Sequence, residues 1–107
     1  MVDILIHKTK KSFEIHANGH AQYAEHGKDI VCAAVSILLY TLLEAIDPKD
    51  MERDMIVVLQ PGSTFISMTP KTEKRDSVIG VLSFVETGFK LLEKNFPKNV
   101  CFRGGVG

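Results

Sequence analysis

Short apolar runs of period two alternate along this chain with longer runs of helical period. Val2, Ile4 and Ile6 alternate with Asp3, Leu5 and His7. Phe13, Ile15 and Ala17 alternate with Glu14, His16 and Asn18. Both are strand patterns, and the polar stretch Thr9–Ser12 between them suits a hairpin. Residues 18–28 hold two glycines among polar side chains and read as a mobile loop. Asp29 is a good helix N-cap, and no charged residue follows from Ile30 to Leu43. A helix apolar on every face requires cover on every face, from the fold or from a second subunit. Asp47-Pro48 ends it, because the residue before a proline avoids the helical region.

The second half repeats the scheme. Met55 to Leu59 is aliphatic, Gln60-Pro61-Gly62-Ser63 suits a type II turn, and Thr64 to Thr69 reads as the returning strand. Val78, Leu82, Val85, Phe89, Leu92 and Phe96 then form one stripe on a helix predicted from about Thr72 to Asn95. Gly80 and Gly88 interrupt it, and close approach to another element would offset their helix cost of about 1 kcal/mol each. Val100-Cys101-Phe102 adds a short last strand, and Arg103 to Gly107 is expected to fray. The order strand, strand, helix, strand, strand, helix, strand predicts an α+β fold. Its sheet is mainly antiparallel, of four or more strands, with two principal helices, one central and apolar.

Composition narrows the class. With 107 residues the chain makes one domain spanning 1–107. Thirteen basic and thirteen acidic residues cancel, which argues against direct nucleic-acid binding. Helix 30–43 is too short for a membrane span of about 20 residues. Met-Val-Asp-Ile-Leu lacks the features of a signal peptide, so Cys32 and Cys101 are expected as free thiols in a reducing cytoplasm.

The candidate chemistry sits between Asn18 and Ser36. With Asp29 as N-cap, Cys32 falls in the first helical turn, near unpaired backbone N–H groups and the positive end of the helix dipole. That is a place where thiolates form. His20 follows Asn18-Gly19 in a loop from which an imidazole can reach a neighbouring helix. Asp29 either caps the helix or orients His20, and its charge by itself opposes a thiolate. The backbone N–H groups of Val31 and Cys32 are natural oxyanion donors. Zinc is the chemical rival, since His16, His20, His26 and Cys32 fall within seventeen residues, but no tight ligand pair is present. No phosphate-binding glycine motif occurs, so neither metal nor cofactor is expected. The competing reading is a non-enzymatic ribosome-assembly or protein-interaction module with Cys32 packed in the core.

Gly19-His20-Ala21, Tyr23-Ala24, Gly27 and Asp29-Ile30-Val31-Cys32-Ala33-Ala34-Val35-Ser36 together resemble the ribosomal-processing cysteine protease family, Prp. The likeness joins a Gly-His-Ala loop to a cysteine-bearing helix start at the family's separation. Length and order of elements agree along nearly the whole chain, and Asn18 stands where the family often has serine. The resemblance implies a bacterial, cytoplasmic endopeptidase that removes the N-terminal extension of large-subunit ribosomal protein twenty-seven. It implies a dyad of Cys32 and His20, a homodimer, and a substrate with aromatic and apolar residues around the scissile bond. Gly19 and Gly27 would then be hinges that let the loop close over that substrate.

Overall fold

Alternation of buried and open side chains builds the sheet. The computed structural model describes residues 1–25 and 27–106, with the backbone alone for 105 and 106. Strands β1 (Val2–Lys8) and β2 (Phe13–Gly19) form the expected hairpin, closed by a Thr9 N–H bond to the Ser12 carbonyl at 2.9 Å. Helix α1 (Ile30–Ala45) follows, then a 3-10 turn (Pro48–Asp50). The hairpin of β3 (Ile56–Gln60) and β4 (Ser63–Met68) comes next. After it come α2 (Arg75–Asn95), preceded by a 3-10 turn at Thr72–Lys74, and β5 (Val100–Val106). The sheet order is β3-β4-β2-β1-β5, antiparallel throughout except for the parallel pair β1 and β5. The α+β class and the two principal helices are as the patterns predict.

Paired residues face the same side of a sheet, so the register sorts the core. Ile4 lies between Ala17 and Phe102, and Ile6 lies between Ile15 and Gly104. Their side is the buried one, with Phe13, Ile66, Met68 and Val100. Both helices cover this side. Helix α1 turns Val31, Val35, Leu39 and Leu42 inward, and α2 turns Val78, Leu82, Val85 and Phe89 inward. Each fully buried aliphatic of this kind stabilises the fold by about 1.5–3 kcal/mol. The end of β1 turns Lys8 to the helix side, where Glu86 of α2 meets it at 2.7 Å.

Four expectations change. Helix α1 is not covered all round: Ile30, Ile37 and Tyr40 are 60%, 61% and 51% exposed, because one sheet and one neighbouring helix cover a single face. Strand β5 runs to Val106 instead of fraying after Phe102, since parallel pairing with β1 outweighs the flexibility of Gly104 and Gly105. The α2 helix proper starts at Arg75, where the guanidinium donates to the Thr9 carbonyl at 2.7 Å and lies over the Phe13 ring. Of the two helical glycines, Gly88 meets the expected close neighbour: a Cβ there would come within 2.7 Å of Leu38. Gly80 faces open space.

Candidate active site

The site is assembled where β2 ends and α1 begins. Asp29 caps α1 as expected, its Oδ1 accepting from Val31 N–H at 3.0 Å and Cys32 N–H at 2.9 Å. Its Oδ2 reaches the other way, accepting from Tyr23 N–H at 2.9 Å and Ala24 N–H at 3.3 Å. One carboxylate thus ties the loop to the helix start. Desolvation pushes this carboxyl up, but the four hydrogen bonds, from Cys32, Ala24, Tyr23 and Val31, outweigh it and hold Asp29 below its ordinary range.

One expectation changes here. The N–H groups of Val31 and Cys32 each have a single hydrogen, and Asp29 takes both, so neither is free as an oxyanion donor in this arrangement. The four backbone bonds also use the lone-pair sites of the carboxylate. Among the described residues Asp29 does not bond His20; its four bonds cap the helix and hold the loop.

Cys32 is half-buried, and its Sγ accepts a hydrogen bond from the Ala21 N–H at 3.4 Å. His20, one residue earlier, is exposed and rests on the β3–β4 turn. A Cβ at Gly62 would fall 2.7 Å from His20 Nε2, so this ring position needs a glycine beneath it. Gly62 also has φ +72, the left-handed value a type II turn requires after Pro61. The Gly19 N–H donates to the Gly62 carbonyl at 2.9 Å and docks the end of β2 on the same turn. Gly19 and Gly27 both have positive φ, +97 and +86, and a side chain at Gly19 would collide with the Met1 carbonyl.

Cys32 and His20 line a common cleft of about 320 Å³. One wall is α1, through Val35, Leu39 and Tyr40, and the other is the β3–β4 hairpin from Leu59 to Thr64. A second depression, bounded by Gln22, Ala24, Gly27 and Ala33, meets the first at His20, Cys32 and Ser36. No direct His20–Cys32 hydrogen bond occurs among the described residues. The expected mobile loop is held at several points. The Ala21 carbonyl accepts from Asn99 Nδ2 at 2.8 Å, and the Tyr23 ring packs edge-on against Phe96 at 5.2 Å. His16 stays apart: it faces the outer side of the sheet beside Glu14 at 3.6 Å and against Phe65. His26 lies outside the described residues. The sequence patterns do not single out Ala21 N–H, Gly62 or Asn99 as parts of the site. All three act through contacts between elements, which no local pattern encodes.

A thiol at a helix start, with an imidazole sharing its cleft and an apolar trough leading away, is the layout of a cysteine peptidase. The sequence pattern of the family described as "Cysteine protease Prp" matches residues 1–101, and the chain belongs to that family. It is a cysteine peptidase. A relative from Staphylococcus aureus strain Mu50, named ribosomal processing cysteine protease Prp, is 27% identical over 99 residues, covering 92% of each chain. One of the same name from Mycoplasma genitalium is 32% identical over 85 residues, covering 78% of this chain and 80% of its own. The crystal structure of an essential ribosomal processing protease Prp from S. aureus, with a covalently linked product peptide, superposes with a TM-score of 0.75. It is 20% identical and covers all of both chains. The S. aureus Prp bound to a substrate peptide gives 0.71 at 19% identity, over 97% of this chain and 99% of its own. At such identities the two structures establish the common fold.

Proposed function

We propose that this protein is a ribosomal-processing endopeptidase that cuts the N-terminal extension from large-subunit ribosomal protein twenty-seven in the bacterial cytoplasm. The observation that carries this reading is the meeting of Cys32 and His20 in one cleft, with a backbone N–H already on the sulfur. Cys32 attacks the scissile carbonyl as a thiolate, and its Sγ–C bond forms as the carbonyl π electrons move to oxygen. Collapse of the tetrahedral intermediate expels the amine, which takes its proton from the His20 imidazolium. Water then hydrolyses the thioester, with His20 as base. Because His20 rests on Gly62 in the free protein, the ring leaves the hairpin to meet the thiol when a peptide fills the cleft. Gly19, at positive φ beside His20, gives the histidine room to turn while Ala21 stays in place.

The trough between α1 and the β3–β4 hairpin suits an extended peptide with apolar side chains, since Val35, Leu39, Tyr40 and Leu59 line it. The same surface logic supports a homodimer. The outward faces of α1 and α2 present Ile37, Leu91 and, at 80% exposure, Phe84, apolar side chains that a second copy of the chain would cover. Incubation with the extended ribosomal protein tests the activity: a product shortened at its N-terminus is expected from the unsubstituted protein and not from Cys32→Ala. Sedimentation at micromolar concentration tests the dimer, and a monomer there would refute it.

A further inference from the structure

Ala21 is firmly held. Its methyl is in the core, with the residue 1% exposed, its carbonyl is held by the Asn99 side chain, and its N–H points at Cys32 Sγ. The chain leaves the core at the next residue, Gln22, in a left-handed conformation with φ +55. A side chain other than glycine is strained there and persists only where its surroundings dictate it. Asn99 is itself anchored. Its N–H donates to the Phe96 carbonyl at 2.9 Å, and its carbonyl accepts from Val2 N–H at 2.8 Å. It therefore joins the end of α2 to the first residue of β1 and, through its side chain, to the loop.

We propose that Asn99 is a positioning residue for Cys32: its amide fixes the Ala21 backbone so that the Ala21 N–H stays on the sulfur and stabilises the negative charge it carries as nucleophile. The inference rests on the reading of Cys32 as nucleophile given above. A neutral thiol is a weak acceptor, whereas hydrogen bonds to ionised acceptors are roughly twice as strong as neutral ones. A donor locked at this place therefore favours the reactive form. Asn99 supplies the lock without adding a charge beside the thiol. The N–H groups of the first helical turn do not serve the sulfur, because Asp29 holds those of Val31 and Cys32.

The test is made in a Cys101→Ser background, so that alkylation reports Cys32 alone. Asn99→Asp keeps the shape and the backbone bonds but loses the donor. Asn99→Ala loses it without adding charge. Both should slow alkylation of Cys32 by iodoacetamide at neutral pH by roughly ten- to a hundredfold, the range expected for one charge-assisted hydrogen bond. The ultraviolet absorbance of the thiolate should fall, and turnover of the extended ribosomal protein should drop in kcat with KM nearly unchanged. A residue that only supports the fold would lower the melting temperature and leave these readouts alone. Unchanged alkylation in either folded variant overturns the proposal. If neither variant folds, the unsubstituted protein decides. Alkylation of Cys32 should speed exchange of the Ala21 amide and shift the Asn99 side-chain resonances, and unaffected signals refute the link. Alkylation and exchange need no cleavage, so they judge Asn99 separately from the protease reading, which fails if Cys32→Ala still cleaves.

Discussion

His20 and Ala21 are neighbours in the chain but belong to opposite regimes. Ala21 is buried, pinned at its carbonyl, and turned to the thiol. His20 is exposed and rests on a glycine of another hairpin. Cys32 lies closer to the first regime, half-buried in a helical turn whose cap, Asp29, also holds the loop. The difference teaches that the surroundings of Cys32 are built into the fold, while His20 is placed only by the glycine surface it rests on. Under the mechanism proposed above, a rigid sulfur and a movable base would restrict the complete dyad to the liganded state.

The largest blow to this contrast is removal of the sulfur. Cys32→Ala and Cys32→Ser should abolish processing of the extended ribosomal protein while melting near the unsubstituted temperature. His20→Ala comes next. Turnover should fall by about 10²–10⁴-fold, the range for loss of a general acid–base group. Alkylation of Cys32 in the free protein should change little, because no bond joins the two side chains there. Strong slowing of alkylation by His20→Ala would erase the contrast.

Gly62→Ala probes the resting place of His20. The substitution forces a side chain into φ +72 and into the imidazole, and should cost roughly 1–2 kcal/mol in denaturant unfolding. It should also shift the ring resonances of His20. Asp29→Asn sharpens the other half. Asparagine still caps α1, so Val31 and Cys32 amides should stay protected from exchange. Its NH2 group would face the N–H groups of Tyr23 and Ala24, whose exchange should quicken, with about 1 kcal/mol lost. The smallest effect is one of pH. The Asp29 carboxyl is held below its ordinary range in the fold, so its contribution is complete above about pH 4. It is lost as pH falls through the lowered folded value. Loop amides should therefore open in acid before α1 unfolds, and simultaneous loss would contradict the double cap.

What could be read from the residues follows the range of the interactions. The strands show in alternation such as Val2, Ile4 and Ile6, and the cap shows because Asp29 and Cys32 are three residues apart. The positive φ of Gly62 follows from Pro61-Gly62 by turn chemistry alone. The length of β5 was hidden, because Gly104 and Gly105 signal a flexible end unless their pairing with Ile6 and His7 is known. In the fold a Cβ at Gly104 would meet Glu86 and the Phe102 ring at an ordinary contact distance of 3.5 Å, so the strand does not depend on glycine there. The bond from Asn99 to Ala21 spans seventy-eight positions and has no local trace. The second pair of bonds to Asp29 was equally hidden, since it depends on how the loop folds back over the helix.

The parallel pairing of β1 with β5 has a consequence for the order in which the molecule comes into being. Val2 pairs with Val100, and Asn99 stands just before that strand. During synthesis the segment holding His20 and Cys32 emerges early, and domains assemble as the chain is made. The residue that pins Ala21 emerges only after β1 to α2 have been made. Pairings of such sequence separation form late, because the intervening chain must close first. A nascent chain therefore carries Cys32 before the bond from Asn99 to the Ala21 backbone can form, and that bond forms together with β5.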